Sequence, residues 1–126
     1  INSVLGLDIS KEGIDWAKDN FETEKVKFLQ KRIEDHTSKA DVLVSIETIE
    51  HLENPHILND LAERCQVDQI IVSYPSKKTT HYNSFHFSDF IDDEIIRIFS
   101  NFKVVDVIDL HRECRILKLQ RYDSSL

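Results

Sequence analysis

The 126-residue sequence has no methionine and only two glycines, two prolines, two cysteines and one tryptophan. The cysteines, Cys65 and Cys114, are far apart and show no C-x-x-C spacing, so they fit reduced, small apolar side chains better than a disulfide or a zinc site. No apolar run approaches the roughly 20 residues needed to cross a bilayer. The first residues, Ile1-Asn2-Ser3, supply neither the basic nor the apolar segment of a secretory signal. An excess of basic charge is also lacking: 16 Lys and Arg stand against 23 Asp and Glu, a net charge of −7. Proteins that live on phosphate backbones show a basic face, so this balance argues against a nucleic-acid partner. The class left by these absences is a soluble, cytoplasmic globular domain without a membrane anchor. The length suits a single domain over residues 1–126 with one ordinary core.

What is present alternates in type. Val4 to Ile9 (VLGLDI) is a short, nearly all-apolar run, as expected of a strand covered on both faces. Ser10 is placed to cap a helix in which Ile14, Ala17 and Phe21 recur at helical spacing. Trp16 lies one position off that stripe and reads as half-buried packing. Val26 to Gln30 reads as a strand, and Asp41 to Ile46 (DVLVSI) as another buried one. Asn54-Pro55 opens a helix whose apolar face is Ile57, Leu58, Leu61, Ala62 and Cys65. Gln69 to Tyr74 (QIIVSY) is a strand ended by Pro75, and residues 76–84 read as a polar loop. Asp92 to Ser100 reads as a helix that buries Ile95, Ile96 and Phe99. Lys103 to Asp109 and Arg115 to Arg121 form a closing hairpin. The expected fold is α/β, a mostly parallel sheet with a C-terminal antiparallel hairpin. In such sheets ligands bind beyond the carboxyl ends of the strands. The residues in question are therefore Asp8 to Ser10, Arg32 to Asp35, Glu47 to His51 and Tyr74 to His86.

These segments look familiar. GLDIS-KEGIDWAKDNF (Gly6 to Phe21), KVKFLQKRIED (Lys25 to Asp35) and ADVLVSIETIEHLENPHILNDLA (Ala40 to Ala62) resemble the class I S-adenosylmethionine-dependent methyltransferases. NSFHFSDFIDDEIIRIFSNFKVVDV (Asn83 to Val107) resembles the segment after that family's fifth strand. The resemblance implies a Rossmann-like sheet and S-adenosylmethionine as cofactor. It matches Asp8 to the acid that accepts hydrogen bonds from the ribose hydroxyls, a task for which one fixed carboxylate can serve two vicinal hydroxyls. It places Ile9 against the adenine face, Ile33 near the adenine edge, and Ser45, Ile46 and Glu47 along the cofactor and the substrate mouth.

The sequence departs from the family pattern twice. Arg32 stands where the family has an acid that meets the adenine amino group, with Glu34 and Asp35 as nearby substitutes. The family's opening strand and glycine-rich turn have no counterpart, since Gly6 and Gly13 are the only glycines. That strand is central in the family sheet, and its loss would leave unpaired backbone on two neighbours. Three explanations are open: a longer parent chain, direct pairing of the two neighbours, or a second copy that fills the gap as a homodimer. A start at Ile1 with no methionine anywhere favours the first.

Methyl transfer from a sulfonium is a direct displacement, so the protein must align the reactants and take a proton from the acceptor. Glu47, His51 and His86 are the candidates for that work. If the chain turns helical after the strand, Glu47 and Glu50 share a face with His51 beside them. Together with His86 this set resembles the metal site of small-RNA terminal 2′-O-methyltransferases, which makes a metal-dependent RNA enzyme one alternative. The acidic charge balance and the plainer reading of Glu50 and His51 as loop-orienting residues favour no metal. The expected function is methyl transfer to a small-molecule or glycan-type acceptor. A non-catalytic remnant that serves as a binding or assembly module is the alternative from another class.

Overall fold

The computed structural model describes residues 1–75, 92–110 and 114–122. His86 and the polar loop expected over residues 76–84 lie outside the described residues. The chain divides into two compact units, Ile1–Thr37 and Ser38–Leu126.

The first unit is a β-α-β element. Strand β1 (Val4–Asp8) pairs in parallel with β2 (Val26–Gln30), and helix α1 (Lys11–Phe21) makes the crossover that parallel strands require. Ser10 caps α1 as its sequence position implies: its hydroxyl accepts the Gly13 N–H at 3.0 Å. Thr23 turns the chain back, its hydroxyl accepting from the Lys25 and Val26 amides at 3.2 and 3.0 Å. The core here is thin. Ile14 and His36 are the buried residues of this unit, while Val4 and Leu5 of β1 are 46% and 44% exposed. The expectation of a strand covered on both faces therefore fails for β1, whose one ladder partner is β2. Trp16 is also more open than expected, 60% exposed and in edge contact with Phe21 at 5.4 Å between ring centroids.

Gly6 sits opposite Phe28 in the β1–β2 register, and the ring occupies the space a side chain would take. A Cβ built on Gly6 would lie 2.8 Å from Phe28 Cδ1 and 3.1 Å from Cε1. We expect Gly6→Ala to cost about 1–2 kcal/mol, because the ring must swing off a well-packed position. Thermal unfolding of the variant against the parent checks this, and an unchanged midpoint would contradict it.

The second unit carries a four-stranded mixed sheet in the order β3-β4-β6-β5. Its strands are β3 (Val42–Ser45), β4 (Gln69–Tyr74), β5 (Phe102–Leu110) and β6 (Cys114–Arg121). β3 and β4 are parallel, while β6 runs antiparallel to both β4 and β5, so the expected C-terminal hairpin is present. β4 and β6 each have a partner on both edges, and β4 is the more buried of the two, with Ile70, Val72, Ser73 and Tyr74 shielded from solvent. β3 has β4 as its one partner and leaves Val44 59% exposed, which corrects its reading as a buried strand.

Two helices complete this unit, α2 (His56–Arg64) and α3 (Asp92–Ile98). Leu58, Leu61, Ala62 and Cys65 form the buried face of α2, matching the spacing seen in the sequence. α3 and its exit bury Ile95, Ile98 and Phe99, and leave Ile96 37% exposed, one position away from the expected stripe. Ile70, Val72, Tyr74, Phe102, Leu117 and Leu119 make up most of the remaining core.

The polar side chain of Asp92 ties this unit together at the end of β4. It accepts from the Tyr74 hydroxyl and takes both arms of Arg115, Nε at 2.9 Å and Nη2 at 2.7 Å. Arg115 also reaches Asp109 at 3.2 Å, so β4, α3, β5 and β6 meet in one network. These bonds hold the guanidinium above its usual pKa, Asp92 being the main cause. We expect Asp92→Ala to lower stability by about 2 kcal/mol, since a buried tyrosine hydroxyl loses one acceptor and Arg115 loses its main partner in a partly exposed ion pair. Adding Tyr74→Phe to that variant should recover part of the loss in a urea titration. Additive losses would show that the two groups are not coupled.

Candidate functional site

The site residues fall at the carboxyl ends of strands in both units. In the first unit, β1 ends on Asp8 and β2 on Gln30. The two ends are tied together: the Lys31 N–H donates to Asp8 O at 2.9 Å, and Gln30 Nε2 donates to Ile9 O at 3.1 Å. Asp8 is exposed, and its carboxylate is oriented by the Ser10 N–H, which donates to Oδ1 at 3.0 Å. Among the described residues no donor engages Oδ2. This is a fixed acceptor open to solvent, the chemistry that two vicinal hydroxyls need. Ile9 is 69% exposed beside it, an apolar side chain with a free face. Ile33 begins a short 3-10 turn, Ile33–Asp35, at the same end of this sheet. Asp8, Ile9 and Ile33 thus all fall at or just after the carboxyl ends of β1 and β2.

Arg32 precedes that turn and pairs with Glu34, Nη2 to Oε2 at 2.6 Å. The hydrogen bond to Glu34 raises the guanidinium pKa, and the charges of Glu34 and Asp35 add to it. The Glu34 carboxylate is therefore already engaged, and Asp35 is the better placed of the two substitutes for an acid at Arg32.

In the second unit, β3 ends on Ser45, which is buried and whose hydroxyl has no hydrogen-bond partner among the described residues. Ile46 and Glu47 follow and are exposed. Glu47 takes a left-handed backbone, φ 52°, and its N–H donates to Ser73 Oγ at 2.7 Å. The next turn is a 3-10 helix, Ile49–His51, in which Glu50 is buried and His51 exposed. The condition for Glu47 and Glu50 to share a helical face is not met, because Glu47 lies outside that turn in a different conformation. Among the described residues no group of three or more His, Cys, Asp or Glu is gathered to hold a metal ion. The set Glu47, Glu50, His51 and His86 includes one residue outside them.

Two residues at this end were not anticipated. Ser73 is wholly buried in β4, and Cys114 opens β6 on the same side of the sheet, where Tyr74 pairs with Arg115. Burial pushes the Cys114 thiol up, the Ser73 hydroxyl opposes this, and the charges of Glu47 and Glu50 add to the rise. Ser73 and Glu47 are thus joined at the carboxyl ends of β3 and β4, and the charges of Glu47 and Glu50 reach Cys114. The signal in the sequence was a single serine inside QIIVSY, an otherwise apolar strand.

Comparison with known proteins agrees with this fold. Residues 1–67, just over half of the chain, match the family described as "Methyltransferase domain". The chain therefore belongs to the class I S-adenosylmethionine-dependent methyltransferases, a family that uses S-adenosylmethionine as methyl donor. Its fold is similar to that of magnesium protoporphyrin IX methyltransferase from Synechocystis, solved with bound SAH, with a TM-score of 0.77 and 17% identity. That match covers 95% of this chain and 64% of the other, so the chain spans about two thirds of that relative's length or slightly less. A type 11 methyltransferase from Sulfolobus solfataricus gives a TM-score of 0.76 at 17% identity, covering 98% of this chain and 73% of that one. The N-methyltransferase NodS from Bradyrhizobium japonicum gives 0.71 at 12% identity, covering 96% and 74%. No curated protein matches the chain by sequence. No helix among the described residues is long and apolar enough to cross a membrane.

Proposed function

We propose that this chain binds S-adenosylmethionine and takes part in methyl transfer to a small-molecule or glycan-type acceptor in the cytoplasm. The observation that carries the reading is Asp8, an exposed carboxylate at the end of β1, held by the Ser10 amide with one oxygen open. Asp8 accepts from the ribose hydroxyls, Ile9 and Ile33 offer apolar contact to adenine, and Ser45, Ile46 and Glu47 line the methyl-donor side. When bound, the cofactor supplies an electrophilic methyl group on a sulfonium. The residues of this chain align the acceptor, and Glu47, His51 or His86 removes its proton as the new bond forms. Two proteins of similar fold are a magnesium protoporphyrin IX methyltransferase and a pyocyanin biosynthetic protein, which supports a small-molecule acceptor here. A homodimer that covers the open edge of β3 is the protein partner we expect.

One observation favours the second reading, a non-catalytic binding module: the Arg32–Glu34 pair consumes an acid that adenine recognition would use. Calorimetric titration of the folded chain with S-adenosylhomocysteine separates the two. Micromolar affinity supports the methyltransferase reading, and absence of binding supports the module.

A further inference from the structure

Among the described residues two non-glycine positions have positive φ, Glu47 at 52° and Gln66 at 54°. In this region the Cβ of an L-residue crowds the backbone, so each instance needs a cause. Gln66 has an ordinary one. It directly follows the end of α2, its N–H donates to Glu63 O at 3.2 Å, and Val67 donates to Ala62 O at 3.1 Å. This is the usual left-handed exit from a helix. Glu47 ends no helix. It follows β3 and precedes the 3-10 turn, and no helix-terminal bonding accounts for its conformation.

What holds Glu47 is a bond from another strand. Ser73 is 0% exposed, and its hydroxyl oxygen accepts the Glu47 N–H at 2.7 Å across 26 positions of sequence. The Cys114 thiol, at the start of β6, donates instead to the Arg115 carbonyl at 3.6 Å. Thr48 braces the turn further by donating from Oγ1 to Ile46 O at 3.1 Å. A short, partly buried hydrogen bond to a wholly buried hydroxyl is strong enough to keep a disfavoured conformation in place.

We infer that Ser73 is a positioning residue for the reaction: its buried hydroxyl locks Glu47 in the left-handed conformation from which the carboxylate leaves the carboxyl end of β3. The inference rests on the reading of Glu47 as a site residue. Without the Ser73 bond, the backbone at Glu47 relaxes toward an ordinary region and the carboxylate changes its direction of exit.

The test uses the full 126-residue chain. Four variants are compared: Ser73→Ala, Glu47→Gly, Glu47→Ala, and Ser73→Ala combined with Glu47→Gly. In Ser73→Ala, hydrogen exchange of the Glu47 amide should speed up about ten-fold or more, while the Ile70 and Val72 amides stay within about two-fold of the parent. Affinity for S-adenosylhomocysteine should fall about five- to twenty-fold. Glu47→Gly should melt higher than Glu47→Ala, since only glycine is at ease at this φ. Ser73→Ala should lower the melting temperature less in the Glu47→Gly background than in the parent, because glycine needs no lock. Unchanged exchange at Glu47, or equal melting shifts in both backgrounds, would overturn the inference and leave Ser73 as plain packing. If the parent chain fails to bind S-adenosylhomocysteine, the methyltransferase reading fails, while the exchange and melting data still decide the Ser73–Glu47 link.

Discussion

Replacing Asp8 by alanine is expected to weaken binding of S-adenosylhomocysteine about 100-fold. A carboxylate that accepts from two ribose hydroxyls makes two hydrogen bonds to a charged group, each worth about 1.5 kcal/mol or more, and about 3 kcal/mol corresponds to that factor. Fold stability should change little. Asp8 is exposed, and α1 keeps its principal cap through the Ser10 hydroxyl and the Gly13 amide. Asp8→Asn retains an oxygen that the Ser10 amide can use, but it loses the charge and one acceptor, so an intermediate loss of about 10-fold is expected. Calorimetry on the three proteins checks the series. A loss of less than about 3-fold in Asp8→Ala would remove this residue from the site and with it the main support for cofactor binding.

Replacing Phe102 by alanine should give the largest loss of stability. Phe102 is 1% exposed, meets Phe99 edge to face at 6.5 Å between ring centroids, and lies under the Arg121 guanidinium at 4.5 Å. Arg121 in turn holds Glu63 at 3.1 Å and the Val67 carbonyl at 2.9 Å. The ring thus supports the aromatic pair and the salt bridge between β6 and α2. Emptying this position removes about 3–5 kcal/mol, the range for a buried phenylalanine. That is a large share of the roughly 5–15 kcal/mol that holds an ordinary domain together. Urea unfolding should show a lower midpoint, and a shift corresponding to less than about 1 kcal/mol would mean that the core collapses onto the gap.

Much of this protein was legible in one dimension. The Ser10 cap, the apolar faces of α1 and α2, and the terminal hairpin follow from local spacing, because a helix repeats every 3.6 residues and a cap needs one hydroxyl at one place. GLDIS and IEHLENP gave the family, and Asp8 followed from its place at the end of an apolar run. The errors share one cause. β1 and β3 have the composition of buried strands, but burial depends on neighbours, and each has a single ladder partner. Ile96 and Trp16 were placed by periodicity alone, and both are more exposed than periodicity suggested. Glu47 and Glu50 would share a face only if the chain turned helical directly after β3, whereas Glu47 takes a left-handed backbone ahead of the 3-10 turn.

The sequence on its own determined the fold class, the family and the cofactor. These depend on contiguous residues whose order survives in any arrangement of the chain. The tertiary structure alone decided that Asp92 joins Tyr74 to Arg115, and that Ser73 holds Glu47. Those partners are separated by 18, 23 and 26 positions, and no local pattern connects them. They meet because β3, β4 and β6 lie side by side, with β6 antiparallel to β4, so that residues distant in the chain become neighbours at one end of a sheet.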